Sequence, residues 1–223
     1  MTTSPTDAAV TTPSTPAEAE PAAPATVAPR PVAPPPPASA PTRRQRLLLA
    51  AVIAVACTAL VPLITGHARG LNAFDQLWVG ARALLAGADP YALVGPGRAL
   101  VQKAPNYYPA TAMIAVLLLA GVGVEVGRAI FFGLAAGALA FAATRDGWAR
   151  VPMFLSGSFA LALTSQQWAP LLTASLFLPA YAWAYAAKPN IGLALFLARP
   201  TRAAFAWAAG GALVLGAVSL ALR

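Results

Sequence analysis

The chain reads as an all-α, multi-span transmembrane helix bundle with an amphipathic juxtamembrane helix in its first outer loop. Three observations predict this. Hydrophobic residues make up 58% of the 223 positions and charged residues only 10%, a balance that excludes an ordinary soluble surface. Apolar runs of membrane-crossing length recur along the chain, the first being Leu47–Ile64. Arginines collect beside those runs, as membrane-flanking residues do. The net charge of +8 therefore belongs to the borders of a lipid bilayer, and no nucleic-acid partner is expected.

Residues 1–42 are dominated by Thr, Ser, Ala and Pro, with a run from Pro34 to Pro37. That composition cannot bury enough apolar area to offset chain entropy, so a disordered tail is expected. The cluster Arg43, Arg44 and Arg46 precedes a run too long for a secretory signal. It holds the start of the first span on the cytoplasmic side of the cell membrane. The tail is then cytoplasmic, and 43–223 form the membrane domain with an outer loop at 65–108.

Within that loop, Asn72 stands as a helix cap and Asp75 in the first turn, at the positive end of the helix. Leu77, Ala81, Leu84 and Leu85 follow at helical spacing as one apolar face. Asp75 and Arg82 lie almost in line on the other side. Gly87 and Pro90 stop the helix. The expectation is a short helix lying along the membrane surface with its carboxylate at the water boundary.

Beyond the loop, Ala110–Thr144 has the length of a hairpin of two spans broken at Gly121–Gly127. Val151–Thr164 and Ala169–Ala187 follow, the latter kinked at Pro170 and Pro179. Lys188, Pro189 and Asn190 interrupt the pattern, Ile191–Ala198 is too short to cross alone, and a last run follows Arg199–Arg202. The count is about six spans. It contains a conflict: two crossings in Ala110–Thr144 place Arg145 and Arg150 outside, whereas the positive-inside bias places them in the cytoplasm.

Several chemistries are excluded. Cys57 and His67 are the sole cysteine and histidine, so neither an internal disulfide nor a Cys/His metal site can form. Gly87, Gly95 and Gly97 lack the flanking strand and the GKS or GKT of a nucleotide loop. No Ser/His/Asp motif is present.

Asp75, the run from Ala81 to Gly87, Asp89-Pro90-Tyr91, and Tyr107-Tyr108-Pro109 opening the next apolar run resemble the first outer loop of family 87 glycosyltransferases. The resemblance continues more faintly through Gln166-Gln167 and Lys188-Pro189-Asn190, and so covers roughly residues 47–200. It implies a GT-C-like membrane enzyme that takes a sugar from a polyprenyl-phosphate carrier. Two departures stand out. Ala110 occupies a place where the family pattern has a second proline, and the chain stops at Arg223 where such enzymes continue through further spans. A shortened member is expected, acting alone or with a partner membrane subunit.

Under that resemblance Asp75 is the candidate catalytic base, because a lipid-phosphate donor already carries a good leaving group. What remains is to take a proton from the acceptor hydroxyl and to hold the phosphate. Arg82, Asp89, Tyr91, Tyr108 and Lys188 are the candidate substrate-binding residues. Each has a plainer reading. Asp75 supports the start of a surface helix. Asp89 serves either a substrate or a divalent metal ion, or only an Asp-Pro-Tyr turn. Arg69, Arg82, Arg98 and Lys103 hold a lipid phosphate or simply face head groups. Trp78, Tyr91, Tyr107 and Tyr108 form a sugar platform or an interfacial aromatic belt. Lys188 contacts the carrier phosphate or snorkels to an interface. Gln166 and Gln167 bond across helices without any substrate.

The leading expectation is a membrane glycosyltransferase working on the outer face with a polyprenyl-phosphate sugar. The alternative is a non-catalytic, shortened membrane protein with a structural or lipid-binding role. A transporter subunit ranks last, since the spans offer almost no polar path.

Overall fold

A computed structural model describes residues 40–65, 72–98, 100–101 and 105–222. Most of the expected disordered tail, with His67, Arg69 and Lys103, lies outside the described residues. The architecture is helical, apart from a two-residue pairing of β1 (Val94–Gly95) with β2 (Leu100–Val101).

The first helix, α1 (Arg43–Thr65), begins at a capping box. Thr42 Oγ1 accepts from the Gln45 amide at 3.3 Å, and Gln45 Oε1 accepts from the Thr42 amide at 2.8 Å. Two otherwise orphaned N–H groups are satisfied reciprocally, which fixes the start of the helix beside its arginines. After it come α2 (Ala73–Leu85), α3 (Ala110–Ala115) and α4 (Val124–Ala143). The remainder is α5 (Gly157–Ser165), α6 (Ala169–Phe177), a 3-10 helix at Pro179–Ala187, α7 (Pro189–Ala198) and α8 (Arg202–Ala221).

Of these, α1, α4 and α8 are long and apolar enough to cross a membrane. Against the expected six crossings, three candidate spans occur among the described residues. The reason is local. Ala110–Thr144 is not a hairpin of two spans, because α3 has six residues and the 3-10 turn after it, Leu117–Leu119, has three. At ~1.5 Å per residue, α3 covers only about 9 Å of a hydrocarbon core of roughly 30 Å. Prolines at 152, 170, 179 and 189 divide the later apolar sequence into legs of five to ten residues.

Of these legs α6 packs on α4, and the 3-10 helix and α7 then pass back and forth beside α6. Trp168, just before α6, meets Phe131 with ring centroids 5.1 Å apart, and at the far end of α6 the carbonyl of Phe177 accepts from Arg145 at 3.2 Å. The 3-10 helix returns to Lys188, whose Nζ reaches Gln167 beside the start of α6 at 3.3 Å. From there α7 travels back to Arg199, which donates to the carbonyl of Leu176. Finally α8 carries the chain to Leu222, beside Gly87 and Asp89.

Because α4 runs antiparallel to α1, the arginine conflict disappears. Arg46 Nη2 donates to the carbonyl of Phe141 at 2.7 Å, and its guanidinium lies 4.2 Å from the Phe141 ring centroid. Arg145 and Arg150 thus share one end of the bundle with Arg43, Arg44 and Arg46, as the positive-inside bias requires. Gly133 and Gly137, four residues apart, let the two backbones touch. A Cβ on Gly133 would collide with Thr58 Oγ1 and sit 2.8 Å from the Ala54 carbonyl, while one on Gly137 would sit 3.0 Å from the Ala50 carbonyl. Small residues on both faces are what close helix approach inside a membrane requires.

Candidate functional site

The end opposite the arginines is where α2 docks. Gly87, at φ +67°, takes the left-handed conformation that ends the helix. Ala88 N–H bonds the Ala83 carbonyl at 2.8 Å and Gly87 N–H that of Leu84 at 3.1 Å, the paired bonds of a Schellman stop. At the other end, Asn72 holds the cap position but its side chain makes no capping bond. Phe74, Leu77, Ala81 and Leu84 are buried in the main core, whereas Leu85, expected on the same face, is 56% exposed.

Asp75 departs most from expectation. The carboxylate is not displayed at a water boundary. It is buried, with Arg128 of α4 donating from Nε to Oδ1 and from Nη2 to Oδ2, both at 2.6 Å. Arg82, on the same line of the helix two turns on, is exposed and stacks 4.8 Å from the Trp78 ring centroid. The difference lies in what covers each position: α4 reaches the first turn of α2 and leaves Arg82 uncovered. So α2 is packed into the bundle and does not lie free along a surface.

Asp89 is exposed, and its Oδ1 accepts from the Tyr91 amide at 2.9 Å, the turn chemistry expected of Asp-Pro-Tyr. Asn106 does the same for Tyr108, accepting its amide at 3.0 Å. These two turns bring Tyr91 and the Asn106–Pro109 segment over the end of the bundle. Gln76 of α2 and Lys188, Pro189 and Asn190 line the same volume. Together they enclose a cleft of about 560 Å³. Three of the sequence-derived candidates, Tyr91, Tyr108 and Lys188, are brought together here. Asp75, Arg82 and Asp89 do not line it.

Lys188 is the one cation among the described residues that line the cleft. Its Nζ donates to Gln167 Oε1 at 3.3 Å and lies 5.4 Å from the Tyr108 ring centroid, a cation–π contact worth roughly 0.5–2 kcal/mol. Burial pulls its pKa below the ordinary lysine value. The folded state therefore disfavours the ammonium, and that penalty fades as pH rises through the lowered pKa toward the ordinary one. Burial also pushes the Tyr108 phenol up, so it stays a neutral donor.

Asn106 is only 6% exposed, and its Nδ2 has no partner among the described residues. Leaving such a donor unpaired costs about 1–3 kcal/mol. Gln166 and Gln167 divide their duties. Gln166 ends α5 in the left-handed region at φ 44°, its Nε2 donating to the carbonyls of Leu163 and Thr164, and Gln167 steadies Lys188. Trp78 Nε1 donates to the Val122 carbonyl at 3.1 Å and plays no part in the cleft.

Sequence reasoning passed over Arg128 and Asn106. A signal existed for Arg128, since a guanidinium in an apolar run calls for a named partner just as Lys188 did. For Asn106 there was only a turn signal. No group of three His, Cys, Asp or Glu able to share a metal ion occurs among the described residues. No protein-family model, characterised protein or solved structure matches the chain.

Proposed function

We propose that the chain is a membrane glycosyltransferase that takes a sugar from a polyprenyl-phosphate donor, with its arginine-rich end on the cytoplasmic side and the cleft on the outer side. The observation that carries this reading is the cleft itself. A lysine, two amide side chains of Asn type, a glutamine and three tyrosines converge on one open volume beside apolar helices. That is the chemistry of a headgroup bearing a phosphate and hydroxyls, attached to a chain that stays in lipid.

Asp75 immediately precedes the cleft-lining Gln76. A carboxylate has about four acceptor positions, and Arg128 takes one on each oxygen. The remaining positions are those from which Asp75 would accept the acceptor's hydroxyl proton. The acceptor oxygen then bonds the anomeric carbon, the bond from that carbon to the phosphate oxygen breaks, and the lipid phosphate leaves.

One observation favours the second reading, a non-catalytic lipid-binding protein. The Asp75 side chain is 9% exposed, is matched by Arg128 and does not line the cleft. Vesicles containing the full chain and labelled polyprenyl-phosphate sugars decide between them. Transfer by wild type that falls about 10²–10⁴-fold in Asp75→Asn, the usual contribution of a general base, supports the enzyme. Retained donor binding with no transfer by wild type supports the second reading. In either case donor binding should weaken as pH rises, and earlier than an ordinary lysine would require, because Lys188 loses its charge first. Binding that is flat up to the ordinary lysine range would remove Lys188 from the headgroup contact.

A further inference from the structure

Asn106 has no part in the sequence resemblance, yet it is the most tightly buried polar side chain of the cleft. Its Oδ1 is committed to the Tyr108 amide. Its Nδ2 is shielded from solvent and without a partner among the described residues, in a residue that lines the cleft. Lys188 lines the same volume, held by Gln167 and the Tyr108 ring with donor capacity to spare. Lys188 is also the cap residue of α7, a helix of ten residues. The first intrahelical bond there runs from Gly192 N–H to the Lys188 carbonyl at 2.8 Å. Pro189 has no N–H, so the amides of Asn190 and Ile191 are the free donors of this terminus. Pro189 and Asn190 line the cleft, and among the described residues no carboxylate does.

We propose that Asn106 Nδ2, Lys188 Nζ and the N-terminus of α7 together form an oxyanion site that holds a phosphate group in the cleft. A buried amide donor, an ammonium and a helix N-terminus are each matched to negative charge, and their convergence satisfies the one buried donor the cleft leaves unpaired. Asn106 then acts as a specificity residue: it rewards an acceptor-rich phosphate and gains nothing from a neutral alcohol. The inference rests on the donor reading in taking that phosphate to be a lipid's, and free phosphate is the other source of the same chemistry.

The test measures binding and needs no turnover. Farnesyl phosphate, farnesol and inorganic phosphate are titrated against the full chain in detergent. Wild type is expected to prefer farnesyl phosphate over farnesol by at least tenfold. Asn106→Asp keeps the oxygen that accepts the Tyr108 amide but replaces the donor with a negative acceptor. It should erase that preference while leaving farnesol binding unchanged. Asn106→Ser, which retains a turn-forming oxygen and withdraws the long amide, should lose most of the preference, and serves if the aspartate variant does not fold. Inorganic phosphate that competes as well as farnesyl phosphate overturns the lipid source. A preference unchanged in both variants overturns this assignment and spares the donor reading. Wild type without any preference overturns both.

Discussion

Replacing Arg128 with methionine is expected to destabilise the protein by about 3–5 kcal/mol, the usual consequence of removing one partner from a buried ion pair. Asp75 would be left buried without its partner, with two hydrogen bonds lost at once. Asp75→Leu alone should cost a similar amount, by stranding the guanidinium. The double variant, Asp75→Leu with Arg128→Met, should recover most of the loss, because a buried pair replaced by apolar residues of similar volume is often neutral or better. Unfolding of the three variants in mixed micelles measures this coupling directly. If the two single losses simply add in the double variant, the pair is not the tie between α2 and α4 that its geometry describes. The same cycle controls the activity test, because it separates a catalytic loss in Asp75→Asn from a folding loss.

Gly133→Leu is expected to part α1 from α4. Even the first carbon of a side chain there meets Thr58 Oγ1 and the Ala54 carbonyl, and backbone cannot move aside as a flexible side chain can. Overpacking usually costs about 1–3 kcal/mol, and leucine at a site with no room for alanine belongs at or above the top of that range. Cys57 offers the readout. It is the only cysteine of the chain, 4% exposed, and it packs in a cluster with Phe132 and Ala136 of α4. A membrane-permeant thiol reagent should label Cys57 slowly in wild type and many times faster in Gly133→Leu. Adding Thr58→Gly, which removes one of the two obstacles, should restore part of the protection. Equal labelling in wild type and variant would mean that the glycine contact does not hold the helices together.

Much of the scaffold was legible in the sequence, because its signals are local. The arginine cluster with its apolar run marks α1, the capped amphipathic pattern marks α2, Gly87 marks its end, and the run after Arg202 marks α8. Hydropathy failed where length and proline compete. Ala110–Thr144 has enough apolar residues for two crossings, but Gly121 and Gly123 flank a turn so early that one short helix and one long helix result. Hydrophobicity alone does not say which. Within the site, Lys188 stood out because its charge is isolated in sequence. Asp75 and Arg82 share a helical line, whereas the residue that pairs with Asp75 is 53 residues away on another helix. Periodicity reports the side of a helix on which a residue lies. It cannot report which distant element will cover that side, and for Asp75 that covering element changes the meaning of the residue.

The distance along the chain between Asp75 and Arg128 also sets an order of events during synthesis. At roughly 5–20 residues per second, the arginine is made about 3–10 s after the aspartate. Throughout that interval the nascent α2 lacks the partner that Asp75 has in the finished fold. Only when α4 arrives can the first turn of α2 be paired, so the tie between these two helices closes late, through a residue made well after the loop it holds.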